Sequence, residues 1–266
     1  MPIQLVEAGE IELACEEAGD GDAVILIAGG FMDMDQWAHQ FDALAATHRV
    51  IRFDQRGVGK SSMPVAGYSI DQFALDTATL IEQLEAAPAV LFGSSLGGLV
   101  AIEIALNRPE LVRGLILAAT PAGIKGEPIP SETQMTMLRG VAVPLEQAAA
   151  ALQDVLFGSD YHDEHPELLE AVIEKRREYP SPPLALMGPL QSALIYDPLE
   201  KLAALECPAL ILLGEDDRIV PLGNAAILGD AIPNSTVVTV PDAGHALVIE
   251  AAEPVNAAVA DFLASL

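Results

Sequence analysis

The chain has 266 residues, 51% hydrophobic and 20% charged, a composition that supports a sizeable core and excludes an intrinsically disordered protein. Its net charge of −26 repels phosphate backbones and anionic lipid headgroups, so neither nucleic acid nor a membrane surface is an expected partner. The two cysteines, Cys15 and Cys207, provide neither a disulfide framework nor a CxxC site.

No apolar run reaches the roughly 18 to 20 residues of a membrane-spanning helix. The opening MPIQLVEAGEIE lacks the basic and apolar regions of a secretory signal, which makes the cytoplasm the expected address. Asn234-Ser235-Thr236 fits a glycosylation sequon but, without secretion, is read as coincidence.

In chain order, strands are predicted at 23–29, 49–54, 89–94, 111–120, 208–215 and 235–240, with helices around 34–46, 70–86, 95–107, 222–231 and 254–265. Near-continuous apolar strands alternating with helices indicate a doubly wound, mostly parallel α/β sheet covered on both faces. The interval between Thr120 and Pro208 is rich in Pro, Met, Leu, Glu and Ala and contains no strand pattern. A structureless loop of that length does not suit a folded domain, so a helical cap on the sheet is expected there. This divides the chain into a core of residues 1–122 and 206–266 and a cap of residues 123–205.

Residues 89–100, AVLFGSSLGGLV, run from a strand into a helix through Gly93-Ser94-Ser95-Leu96-Gly97. A serine on a sharp strand-to-helix turn needs small residues two positions to either side. Ser95 has Gly93 and Gly97 there, whereas Ser94 has Phe92 and Leu96, so Ser95 is the candidate nucleophile. Its hydroxyl needs a base, and the base needs a carboxylate that fixes its tautomer.

Of the five histidines, His39 and His48 fall in a helix and a turn. His162 and His165 lie in the acidic segment YHDEHPE, where no further His or Cys supports a metal site. His245, in VPDAGHALVIE after the last strand, lies where the strands' carboxyl ends meet. GEDDRIVP offers Glu215, Asp216 and Asp217. Asp217 is preferred to Asp216, because the loop must first turn off its strand before a side chain can reach back. The order Ser95, Asp217, His245 suits this type of sheet enzyme. Oxyanion donors are expected from the backbone N–H of Leu96 and from the loop Ala28-Gly29-Gly30-Phe31, with Gly30 preferred and Phe31 next.

GSSLGG around Ser95, FDQRGVGKSS (53–62), GEDDRIVP (214–221) and AGHALVIE (243–250) together resemble the α/β-hydrolase superfamily over nearly the whole chain. The resemblance implies a Ser95–His245–Asp217 catalytic triad and a lid inserted after the sixth strand of the fold. It also implies a structural loop shaped by Asp54, Arg56 and Gly57. Where many members carry His-Gly in the oxyanion loop, this chain has Ala28-Gly29, so the imidazole's support of that loop is expected to be lost. The Gly-Gly loop is similar to the methylesterase branch typified by aclacinomycin methylesterase. A serine nucleophile argues against the dehalogenase and epoxide hydrolase branches.

The expected function is a serine hydrolase cleaving esters, methyl esters or lactones of a small, largely apolar molecule through an acyl-enzyme. The same triad also serves carbon–carbon bond hydrolysis or cofactor-free perhydrolysis and haloperoxidation. A non-catalytic ligand receptor is the remaining alternative. Candidate substrate contacts are Phe31 and, from the cap, Met135, Leu138, Phe157 and Met187, although many such residues would serve only to pack the cap. Glu174-Lys175-Arg176-Arg177-Glu178 reads by default as a solvated helix face that could also recruit an anion. No cofactor or metal motif is present. The expected partner is a small-molecule substrate, with homo-oligomerisation left open.

Overall fold

The N-terminal segment, which has no strand assignment in the sequence reading, forms a hairpin of β1 (Gln4–Ala8) and β2 (Ile11–Ala18). Leu13 and Cys15 of β2 are buried while Glu12 is exposed, the alternation of a strand with one covered face. In the computed structural model, residues 2–143, 145–158 and 161–266 are described, with Leu138, Gly140, Val141, Ala142 and His162 described in backbone only.

The remaining strands are β3 (Ala23–Ile27), β4 (Arg49–Phe53), β5 (Ala89–Ser94), β6 (Val112–Ala118), β7 (Ala209–Gly214) and β8 (Ser235–Val240). They join the hairpin in one eight-stranded sheet of order β1-β2-β4-β3-β5-β6-β7-β8. The β1–β2 and β2–β4 pairings are antiparallel, and from β4 through β8 every pairing is parallel. The predicted parallel strands all form, two with their predicted bounds and the others one to three residues shorter.

Every residue of β3, β5 and β7 is buried, because both faces of the sheet are covered. Ile25, Ile27, Leu91, Leu115 and Ile211 point to one side. There they meet α2 (Ile70–Gln83), α3 (Leu96–Asn107) and α9 (Gly223–Ala231). Val24, Leu26, Val90, Phe92 and Leu210 point to the other, against α1 (Ala38–Leu44) and α11 (Ala252–Ala264). On that side the Trp37 and Phe92 rings lie 4.6 Å apart.

Between β6 and β7 lie α4 (Ser131–Ala142), α5 (Leu145–Leu156), α6 (Tyr161–Glu164), α7 (Pro166–Glu178) and α8 (Pro183–Ile195). The short α10 (Leu247–Glu250) follows β8. No helix among the described residues is long and apolar enough to cross a membrane. The inserted helices meet the core at several points. The Ala246 N–H donates to the Leu156 carbonyl at 2.8 Å, and the Ile70 N–H donates to Ser192 Oγ at 2.9 Å.

The loop after β4 is organised by charge. Arg56 forks onto the carboxylate of Asp76, both side chains being buried. Asp54 Oδ1 accepts the Met34 N–H and Oδ2 the Lys60 N–H, each at 2.8 Å. Burial nevertheless raises its pKa from 3.8 to about 6, against the pull of those two donors. A carboxyl whose pKa is raised by folding adds stability at low pH, and that contribution fades as the pH climbs through the folded value. Relative to Asp54→Asn, the wild-type unfolding free energy is expected to fall by about 2 kcal/mol between pH 4 and pH 7. Urea unfolding at the two pH values checks this; a difference that grows with pH contradicts it.

Candidate active site

From β3 to β8 the strands run parallel, so their carboxyl ends share one edge of the sheet. The predicted residues lie on the loops at that edge. Ser95, half-buried, caps α3 with φ 52° and ψ −114°, a backbone conformation few side-chain-bearing residues adopt. Its N–H donates to the Ala118 carbonyl at 2.8 Å, and its carbonyl accepts the Gly98 N–H at 3.0 Å. A Cβ on Gly93 would lie 2.2 Å from the Gly97 oxygen, and one on Gly97 would lie 2.1 Å from the Ile27 oxygen. Glycine at both positions is a steric necessity. Ser94 is buried and accepts a hydrogen bond from Gln36 Nε2 at 3.1 Å, which leaves Ser95 as the serine presented by the turn.

His245 and Asp217 are brought together as expected. His245 Nδ1 lies 2.9 Å from Asp217 Oδ2 and 3.1 Å from Oδ1. The Asp217 side chain is fully buried, and Oδ1 also accepts the Ile219 and Val220 N–H groups at 2.8 and 2.7 Å. These donors fix the carboxylate's orientation, so it in turn fixes the imidazole's. Glu215 and Asp216 are exposed, and the Asp216 N–H is used by the Ala243 carbonyl at 2.9 Å. Among the hydrogen bonds of the described residues, none joins Ser95 Oγ to His245.

The Gly29-Gly30 loop passes beside the serine. A Cβ on Gly29 would lie 3.6 Å from Ser95 Cβ, and one on Gly30 would lie 4.0 Å from Leu96 Cβ. No protein acceptor among the described residues takes the N–H of Gly30 or Leu96, and Leu96 opens α3, where helix N–H groups are free. Phe31 holds φ 68°.

The loop after β3 has no imidazole to hold it, and two amides support it instead. Gln36 Oε1 accepts the Gly29 N–H, and Gln55 Nε2 donates to the Ala28 carbonyl, both at 2.8 Å. Both glutamines are buried. Nothing in their sequence neighbourhood marks them, apart from an amide in the first turn after the loop and another beside Asp54.

Glu250 is a second residue the sequence reading does not single out. It accepts the Gly244 N–H at 2.9 Å and the Gly158 N–H at 2.6 Å, linking the His245 loop to the inserted segment. Burial raises its pKa above the usual carboxylate range, partly opposed by those donors.

Of the candidate substrate contacts, Phe157 is buried and stacks on Tyr161 at 5.4 Å, next to the His245 loop. Phe31 and Met187 are half-buried, and Met135 is 48% exposed. Leu138 belongs to α4, but its side chain lies outside the described residues, as does that of His162. His165 pairs with Glu167 at 3.0 Å, and His48 with Thr47 at 2.8 Å. Two further surface hollows, one lined by Leu222, Ala225 and Val237 and one by Asp22, Arg49 and Arg113, contain no histidine.

A family model described as alpha/beta hydrolase fold matches residues 22–252. A Caulobacter sp. protein whose name proposes a carbamate hydrolase, RutD, is 29% identical over 255 residues, covering 92% of each chain. Among solved structures, a thermophilic esterase from Thermogutta terrifontis superposes with a TM-score of 0.84 at 30% identity, covering 100% of this chain and 99% of that one. A bromoperoxidase from Bacillus anthracis superposes with a TM-score of 0.89 at 27% identity, covering 98% and 99%.

The packing at the turn separates two glycines that look alike in sequence. Gly97→Ala drives a methyl into backbone and is expected to cost about 3 kcal/mol or more, a loss of roughly 6 to 10 °C in Tm. Gly30→Ala meets only ordinary contacts and is expected to stay within about 1 kcal/mol of wild type. Calorimetric melts of the two variants, compared side by side, check the contrast; equal losses contradict it.

Proposed function

The chain belongs to the α/β-hydrolase family, and from that footing we propose that it is a serine hydrolase cleaving carboxylic esters, methyl esters and lactones included, through an acyl-enzyme. Supporting this above all is the His245–Asp217 contact at 2.9 Å, with its carboxylate buried, at the sheet edge where Ser95 occupies its positive-φ turn. A buried carboxylate on Nδ1 leaves Nε2 as the free base of the imidazole.

In the proposed reaction Ser95 Oγ attacks the substrate carbonyl while His245 Nε2 takes its proton. The Ser95–His245 hydrogen bond is one that substrate binding has to close, as is common in unliganded enzymes. Asp217 balances the charge that forms on the imidazolium. The N–H groups of Gly30 and Leu96 receive the oxyanion, supported by the positive end of α3. His245 then protonates the leaving alcohol, and the acyl-enzyme forms. Water, deprotonated by His245, attacks the ester carbonyl and frees Ser95 and the acid.

The inserted helices act as a cap over this edge, with residues 123–205 as cap and residues 1–122 and 206–266 as core. The substrate is a small molecule with a largely apolar body, met by Phe31, Phe157 and Met187.

A second reading is favoured by the likeness to a protein named a bromoperoxidase. Hydrogen peroxide in place of water would release a peracid from the same acyl-enzyme, and the peracid would oxidise bromide without any bound cofactor. The two readings share their first half and divide at the second nucleophile.

Ser95→Ala is expected to lower kcat for a p-nitrophenyl ester by about 10⁴-fold or more, and Asp217→Asn by about 10⁴-fold. A fluorophosphonate reagent is expected to label Ser95 in the wild type and nothing in Ser95→Ala. Retention of most of the rate by Ser95→Ala overturns the proposal. Peracid formation on adding hydrogen peroxide decides between water and peroxide as acceptor.

A further inference from the structure

The basic run at the end of α7 is not a uniformly solvated face. Lys175 contacts Asp35 and lies 3.4 Å from Asp33, and Arg177 lies 2.5 Å from Glu146. Arg176, between them, forms no ion pair among the described residues. Its Nη2 donates to the Phe31 carbonyl, and its guanidinium carbon lies 5.8 Å from the centroid of the Phe31 ring. Nε and Nη1 have no protein acceptor among the described residues. Desolvation lowers its pKa from the ordinary arginine value, with the charge of Asp33 opposing the shift.

Phe31 directly follows Gly30, so a half-buried cation with open donors lies over the loop after β3 in a protein of net charge −26. Even partial burial of a cation without a counter-ion in contact carries a desolvation cost. Packing alone does not require it here, because Lys175 already ties α7 to the loop through Asp33 and Asp35. Planar N–H donors on a guanidinium match a carboxylate's two oxygens. At long range the protein repels anions, so an anionic substrate would need such a local cation to be held.

We propose that Arg176 is a specificity-determining residue that binds a carboxylate carried by the substrate, remote from the scissile ester. The substrate class is then the half-ester, an apolar chain with a carboxylate at one end and the ester at the other. The reaction step rests on the Ser95 reading above; the binding step does not.

Monomethyl glutarate and dimethyl glutarate are matched probes that differ in this charge. Arg176→Met is expected to lower the ratio of their kcat/KM values, half-ester over diester, at least tenfold, mainly through KM of the half-ester, with Arg176→Lys falling between. A ratio that stays constant while both rates drop together makes Arg176 a loop support and overturns the proposal. Arg176→Gln, which keeps a donor for Phe31 without the charge, replaces the Met variant if that one fails to fold. Calorimetry on Ser95→Ala protein with monomethyl glutarate reads binding without turnover. Binding that disappears when Arg176→Met is added supports the carboxylate site even if the wild type hydrolyses neither ester, an outcome that would count against Ser95 alone. Binding indifferent to Arg176, or none, overturns the site.

Discussion

Ser95 keeps a φ of 52° and ψ of −114° because the backbone around it leaves no alternative. Such a conformation costs about 1 to 3 kcal/mol for a residue with a side chain. The offset comes from the paired backbone of the turn, where Ser95 donates to Ala118 and accepts from Gly98, and from the burial of β5 and α3 on either side. The close approach of β5, α3 and the end of β3 is what forbids a Cβ at Gly93 and Gly97. The turn therefore sets the distance between Ser95 and the loop after β3, and the remaining parts of the candidate site are arranged around it.

That loop is held by neutral amides. Gln36 spans the Gly29 N–H and the Ser94 hydroxyl, so one side chain couples the loop after β3 to the strand that leads into Ser95. Gln55 takes the preceding carbonyl, Ala28. An imidazole there would titrate near neutral pH; an amide does not, so this support does not depend on pH. The Gly29 N–H is consumed by this arrangement, whereas that of Gly30 has no acceptor among the described residues.

Legibility followed the locality of the signal. The parallel strands were readable because a strand covered on both faces is a short apolar block, and Ser95, Asp217 and His245 were readable because each stands in a short motif at a strand end. The β1–β2 hairpin was not, since Leu13 and Cys15 sit among Glu12, Glu16 and Glu17, which break up the apolar run of β2. Gln36, Gln55 and Glu250 act through main-chain groups of other segments, and their pairings cross 7, 27 and 92 residues. Nothing in the residues next to them encodes such a partner. Arg176 was legible as a charge but not as an unpaired one, because the distinction from Lys175 and Arg177 depends on which way each side chain leaves α7.

The inserted helices grip the site at two places by different physics. At the His245 loop the contacts are short hydrogen bonds from main-chain N–H groups, from Ala246 to Leu156 and from Gly158 to Glu250, which salt screens little. At the loop after β3 the tie through Lys175 to Asp33 and Asp35 is ionic and partly exposed, the kind that salt weakens. The same face of α7 carries Arg176, whose guanidinium donates to the Phe31 carbonyl, so an ion pair and a hydrogen bond to main chain act side by side there.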